Sequence, residues 1–350
     1  MKTPTFALFA GLMLAAGCAE SNGTTVFIPT NDVSGDVATS GDADAAPDVI
    51  ADVPGGDQSV TPDTAADLPV QPDVAPVCDA GTTQACICAN NRDGTQTCFA
   101  DGSDWFPCVC APPLVTGQQR VTVTETHAGG GRQCIEAKCP AGTSILGGGG
   151  SWDATKVKLD QHGPIDANRW TICGTSFPGG TQWTVEAICA TITDKSTYAF
   201  RGENFDKPKG GTCQEVACPD GMFALSGGGF WSQFPNVELD HSDWSAQGWQ
   251  LCGNADADSA WEIAVVCMTV PSGKASADKD TFDIGASGAN ECHTKACPDG
   301  FQATSAGAYF PGRSKWSTLN ATTANTAELC LSSDEAVKGL WLRAICADLD

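Results

Sequence analysis

Apolar and polar residues alternate along much of the chain with a period of two. Arg120 to Thr126 alternates Val with Thr, and Trp183-Thr184-Val185-Glu186-Ala187-Ile188 sends its apolar side chains to one face. That period belongs to strands with one buried face. Gly and Pro punctuate the pattern roughly every 8 to 12 residues, the spacing of an all-β sandwich or barrel. No 11-residue stretch keeps a helical period, so the pattern predicts an all-β protein.

The pattern also repeats. Cys134, Cys213 and Cys292 are spaced by 79 residues, and each opens a Cys-x4-Cys-Pro unit ending at Cys139, Cys218 or Cys297. A glycine block follows, Gly148-Gly149-Gly150 and Gly227-Gly228-Gly229, and then an aromatic residue, Trp152, Trp231 or Phe310. Further on, Val157-Lys158-Leu159-Asp160 matches Val237-Glu238-Leu239-Asp240, and Trp170 to Gly174 matches Trp249 to Gly253. The copies close on strands from Trp183, Trp261 and Trp341 to Cys189, Cys267 and Cys346. Three tandem β units, 118–194, 195–271 and 272–350, account for this. They either close around a pseudo-threefold axis, as in β-prism proteins, or stand as separate beads. Short connections such as Thr191 to Thr197 favour contact.

A glycine block weakens an ordinary strand, so it marks a bulge or a close backbone approach. A phosphate loop would need a strand-to-helix context that is missing. The third copy drifts to Ala306-Gly307-Ala308, and Ala327 replaces the tryptophan before Cys330. Terminal repeats commonly drift because one face lacks a neighbour. Trp152, Trp231, Trp170, Trp249, Trp183, Trp261 and Trp341 recur by position and are expected in the cores.

The N-terminus reads differently. Met1-Lys2, an apolar run from Phe6 to Ala16 and small residues before Cys18 have the proportions of a signal peptide over 1–17. Leu14-Ala15-Ala16-Gly17-Cys18 resembles the lipobox of bacterial lipoproteins, with alanine where leucine is usual. That resemblance implies an acylated Cys18. Ala19 and Glu20 follow it, and by resemblance to Gram-negative sorting rules this implies the outer membrane. The cysteine count fits: there are 19 cysteines, and exported proteins pair their thiols. Setting Cys18 aside leaves one cluster of six and three sets of four.

Residues 18–77 read as the lipidated cysteine and a disordered acidic tether. Asp-Val and Pro-Asp units recur among Ala, Thr, Ser and Gly, and no aromatic follows Phe27. Such a segment buries too little surface to offset its ordering entropy. As a flexible coil, Ala19 to Val77 spans roughly 40 Å. Residues 78–110 hold Cys78, Cys86, Cys88, Cys98, Cys108 and Cys110, a module too small for its own core and so stapled by bridges. Three disulfides in one of 15 connectivities are expected. Cys-x-Cys spacing is not that of a zinc site. Gly94-Thr95-Gln96-Thr97-Cys98, Asp101-Gly102-Ser103 and Trp105 between Cys-x-Cys pairs resemble small cysteine-rich modules of Gram-negative surface lipoproteins.

The Cys-Pro-x-Gly start, the glycine block and the closing Ala-x-Cys resemble a small domain at the ends of exported bacterial proteins, over Gln118 to Asp350. Simpler members keep only the second and fourth cysteines. The resemblance thus implies Cys139–Cys189, Cys218–Cys267 and Cys297–Cys346, leaving Cys134–Cys173, Cys213–Cys252 and Cys292–Cys330.

Charge and chemistry narrow the function. Net charge is −23, with no Lys or Arg between Thr3 and Asn91, which argues against nucleic acid and anionic membrane surfaces as partners. His127, His162, His241 and His293 share no repeat column and no metal-ligand spacing. Gly-x-Ser-x-Gly and His-Glu-x-x-His are absent. Asn254 to Asp258 begins like a calcium loop but lacks the central glycine and distal glutamate, and reads as an acidic turn. Asp160, Asp240 and Asn320 are placed in one column, where Asp and Asn both suit a turn. Trp244, in the turn-rich His241 to Gly248 segment, has no counterpart and is the one candidate ligand-binding residue. The reading is a non-catalytic lipoprotein of the outer membrane or cell surface. It would need no cofactor or metal, and would act as a multivalent binding or adhesion module for glycan or protein. A structural envelope protein comes second and a secreted hydrolase last.

Overall fold

The computed structural model describes residues 26–27, 75–88, 93–153, 157–207, 210–231, 237–255, 258–286, 290–310, 315–323 and 325–349. Residues 1–17, read as a signal peptide, Cys18 and nearly all of the segment read as a tether lie outside them. The described residues form two units, one within 30–112 and the other made of 26–27 and 113–349. All the regular structure in both is β, apart from a 3-10 turn at Lys195–Thr197.

In the larger unit, β1 (Val26–Phe27) pairs antiparallel with Thr122 and Val121. In the smaller unit β2 (Thr83–Ile87), β3 (Asp93–Thr97) and β4 (Val109–Cys110) form an antiparallel sheet. It is closed by Cys78–Cys98, Cys86–Cys108 and Cys88–Cys110. Gly94 sits between two of these bridges, and a Cβ there would lie 2.6 Å from Cys108 Sγ and 2.9 Å from Cys88 Sγ.

Each repeat supplies six strands. The first has β5 (Val115–His127), β6 (Arg132–Lys138), β7 (Ser144–Ser151), β8 (Val157–Asp166), β9 (Arg169–Ser176) and β10 (Thr181–Ile192). The second has β11 (Tyr198–Lys207), β12 (Gly210–Ala217), β13 (Phe223–Trp231), β14 (Val237–Trp244), β15 (Gly248–Ala255) and β16 (Ser259–Met268). The third has β17 (Ala275–Ile284), β18 (Glu291–Ala296), β19 (Gln302–Tyr309), β20 (Lys315–Thr323), β21 (Thr326–Ser332) and β22 (Val337–Ala347).

No sheet belongs to one repeat. The orders are β1-β5-β10-β7-β20-β21-β18, β11-β16-β13-β8-β9-β6 and β12-β15-β14-β19-β22-β17. Every repeat therefore splits into two three-stranded halves, and each half pairs with the complementary half of another repeat. The third repeat pairs back onto the first through Thr318↔Ser151 and Leu319↔Gly150. The equivalent seams are Gly229↔His162 and Ser242↔Ala308. The three repeats thus close into a ring around a pseudo-threefold axis and are not beads.

The glycine block lies where this closure is tightest. The central strands β7, β13 and β19 meet at the axis, where Thr304 Oγ1 donates to Leu225 O at 2.6 Å. A Cβ on Gly147 would fall 1.7 Å from Thr304 O, and one on Gly228 2.0 Å from His162 O. Both contacts are to the backbone of a neighbouring repeat, so no rotamer change relieves them.

Two other glycines leave room for tryptophans. A Cβ on Gly148 would lie 2.7 Å from Trp170 Cδ2, and one on Gly227 2.3 Å from Trp249 Cγ. The third repeat has Ala306 and Ala327 at these two positions. Its drift is therefore a matched exchange of volume. The terminal-repeat explanation fails, because a closed ring has no terminal face.

Two bridge classes tie each repeat. Cys139–Cys189, Cys218–Cys267 and Cys297–Cys346 join one sheet to the next, with Cα atoms 5.6–5.7 Å apart. Each closes a loop of about 50 residues, worth about 4 kcal/mol in the chain-entropy model. Cys134–Cys173, Cys213–Cys252 and Cys292–Cys330 lie within a sheet, between directly opposed residues.

Trp152, Trp170, Trp183, Trp231, Trp249 and Trp261 are buried in the core. Trp341 is not. It stands five residues before its closing cysteine where Trp183 and Trp261 stand six, and Leu340, fully buried, takes their place. One step along a strand reverses the face, so Trp341 points outward.

Candidate functional site

The outer faces of the three sheets can be compared position by position, because the seams share one register. One row runs across each sheet from its in-plane disulfide. In the first sheet it reads Cys292, Cys330, Thr318, Ser151, Thr184, Thr124. In the second it reads Cys134, Cys173, Gln161, Phe230, Glu262, Asn204. In the third it reads Cys213, Cys252, His241, Tyr309, Trp341, Thr281. Only the third sheet places three aromatic rings side by side.

These rings form one assembly. Tyr309 and Trp341 stack with centroids 4.5 Å apart at 27°. His241 meets Trp341 edge-on at 5.5 Å and Tyr309 at 6.0 Å. The Lys279 ammonium lies 4.4 Å from the Trp341 ring centroid, a cation–π distance. All three rings are half-buried.

The neighbouring row carries charge, running Gln250, Asp243, Gly307, Arg343, Lys279. Asp243 is 1% exposed and pairs with Arg343 Nε at 2.9 and 3.0 Å. Its carboxylate also accepts from Trp341 Nε1 at 3.1 Å and from the Trp244 backbone N–H at 2.8 Å. Gly307 makes this possible: a Cβ there would lie 2.0 Å from Asp243 Oδ1. Arg343 reaches across the glycine from one repeat to the aspartate of another. In the first sheet Glu186 reaches Asn320 over Gly149 in the same way, Asn320 Nδ2 donating to Glu186 Oε2 at 2.6 Å. In the second sheet the equivalents are Ala264, Gly228 and Gly163, which carry no polar side chain.

Trp244 belongs to this site, although not as a loop residue. It ends β14 and stands half-buried between Phe223, 5.6 Å away by ring centroid, and the Arg343 guanidinium at 5.4 Å. The strand continues through the segment read as turn-rich, and the turn itself follows Trp244. Burial pushes the His241 imidazole below its usual pKa; nearby Asp243 opposes the shift, while Arg343 and Lys279 add to it.

The shared column of Asp160, Asp240 and Asn320 needs correction. Asp160 and Asp240 are bulge residues of β8 and β14, and the β20 bulge falls at Ser317. Asn320 shares a column with Gly163 and Asp243. Burial raises the Asp160 carboxyl pKa although Arg132 Nε donates to it at 2.8 Å.

The other histidines stand apart. His127 packs on Trp183 at 4.7 Å, and His293 stacks on Phe282 at 3.7 Å. His162 lies between Trp152 and Trp170, where burial pushes its pKa down to about 4. Two groups of described residues have metal-donor spacing, Cys88/Cys108/Cys110 and Cys292/Glu328/Cys330, and every cysteine in them is disulfide-bonded. Asn254 and Ala255 end β15, and 256–257 of the calcium-like segment lie outside the described residues.

Sequence reasoning reached Trp244 by its lack of a counterpart. It missed Tyr309 and Trp341 because one was not considered and the other was counted into the core. Comparison with protein-family models finds no match, and comparison with curated proteins finds none.

Proposed function

We propose that the protein is a non-catalytic, lipid-anchored binding protein of the outer membrane or cell surface. Its single platform is the His241–Tyr309–Trp341 row with Trp244, and its ligand is a glycan. The observation that carries this reading is that one of three equivalent outer rows sets three aromatic rings side by side, while the second holds Phe230 alone and the first none. A multivalent module would repeat its site three times, so this distribution favours one site. The outward side of the half-buried rings gives a sugar ring apolar contact, and Gln250, Lys279 and the His241 imidazole supply hydrogen-bond partners for hydroxyls. The acidic charge argues against nucleic acid as the ligand, and the absence of an acid, base or nucleophile set in the sequence supports binding over catalysis.

The test is a glycan array probed with the full-length oxidised chain, beside Tyr309→Ser and Trp341→Thr. These variants install the residues of the first sheet's row. Specific binding reduced at least tenfold by either change, about 1.4 kcal/mol, is the expected result. Binding that survives both changes would refute the platform, and binding to no glycan would favour a structural envelope role.

A further inference from the structure

We propose that Cys134–Cys173, Cys213–Cys252 and Cys292–Cys330 form an exchangeable disulfide set that reacts with an external dithiol while the fold stays intact. The second class, Cys139–Cys189, Cys218–Cys267 and Cys297–Cys346, remains closed.

The two classes differ in access and in placement. Cys134, Cys213 and Cys292 are exposed, on strands β6, β12 and β18 at the edges of their sheets. Each of their partners is buried one strand inward. In the second class all six cysteines are buried, and Cys189, Cys267 and Cys346 are 0% exposed. The first class bridges directly opposed residues with Cα atoms 4.0–4.1 Å apart. That is closer than the roughly 4.4 Å at which protein bridges normally begin. Exposed bridges of unfavourable geometry are the labile ones, and buried structural bridges resist reduction.

The chemistry needs only an external dithiol, whose own oxidation supplies the two electrons. One thiolate attacks the exposed sulfur of Cys134, Cys213 or Cys292, and the bond to the buried sulfur breaks. The buried cysteine leaves as thiolate and takes up a proton. The second thiol of the dithiol loses its proton and attacks the mixed disulfide. The exposed cysteine is released as a thiol, and the reagent departs as its own disulfide. Opening unties an edge strand held on one side only and leaves the links between sheets in place. In the third sheet the opened bridge shares a row with His241, so its redox state adjoins the aromatic platform.

The test is graded reduction of the full-length oxidised protein by dithiothreitol, quenched with N-ethylmaleimide and mapped by peptide mass spectrometry. Near-ultraviolet circular dichroism is followed in parallel. We expect the six cysteines of the first class to be labelled at least tenfold faster than the six of the second, before the dichroism signal is lost. The small unit's cysteines are read on separate peptides. Labelling of both classes at one rate would overturn the proposal. So would the absence of labelling until the fold is lost.

Discussion

Gly227→Ala adds one methyl group where the ring closes on itself. The new Cβ would lie 2.3 Å from Trp249 Cγ and 2.5 Å from Cδ2, against about 3.5 Å for an unstrained carbon contact. The indole must move by more than about 1 Å, yet Trp249 is 0% exposed and its Nε1 donates to Ser242 Oγ at 3.2 Å. Overpacking of this kind costs about 1–3 kcal/mol, and loss of the hydrogen bond adds about 1. The expected total is about 2–4 kcal/mol, a fall in Tm of roughly 4–16 °C for a unit of this size. Trp249→Ala alone costs about 3–5 kcal/mol through its cavity. The double variant reproduces the Ala306/Ala327 pair of the third repeat, and its added methyl enters the space the indole vacated. It should therefore cost no more than Trp249→Ala alone, a coupling of about 2–4 kcal/mol. Scanning calorimetry of the four oxidised proteins measures the cycle. If Gly227→Ala costs as much without the tryptophan as with it, the matched-volume account of the third repeat is wrong.

Two further outcomes follow from the seams. Asp243→Gly removes the partner of a half-buried guanidinium and should cost about 3 kcal/mol, whereas Asp243→Gly with Arg343→Ala rebuilds the Gly163/Ala264 seam of the second sheet and should cost less. A double variant at least as unstable as the single one in calorimetry would contradict this. The folded-state pKa of His162 is depressed to about 4 from 6.5, so its neutral form contributes stability present above pH 6.5 and lost as pH falls towards 4. The loss approaches about 3 kcal/mol, and His162→Leu, which installs the third repeat's residue at that position, should flatten the slope of unfolding free energy between those values. Equal slopes for the two proteins would refute the assignment.

The strands and the triple repeat were legible because period two and the spacing of 79 residues are local properties of the chain. Ring closure was not. Pairing β7 with β20 joins residues from the first and third repeats, and nothing in either strand's own pattern specifies a partner so distant. The site was lost to counting. Trp341 was grouped with Trp183 and Trp261 as the tryptophan that opens the closing strand, but within β22 it stands five residues before its cysteine where they stand six. On a strand, one residue exchanges core for surface. The match between Asn320 and Asp243 was hidden because the step from the aromatic residue to the bulge is eight residues from Trp152 to Asp160, nine from Trp231 to Asp240 and seven from Phe310 to Ser317. The glycine block was legible as a close approach, but what approaches it, another repeat's backbone, required three dimensions.

Ring closure also brings the first and last strands of the ring together. The Val115 N–H donates to Leu349 O at 3.4 Å, so the first and last strands of the ring are neighbours. The peptide order of the repeats is then one of three equivalent cuts through a circle. A circular permutant opened between β10 and β11, with residue 349 joined to residue 113, keeps every strand pair among β5 to β22 and both bridge classes. Deleting one repeat has the opposite effect, for it leaves two half-sheets with no complement. The smallest stable assembly of these units is three, and it is gained or lost as a whole.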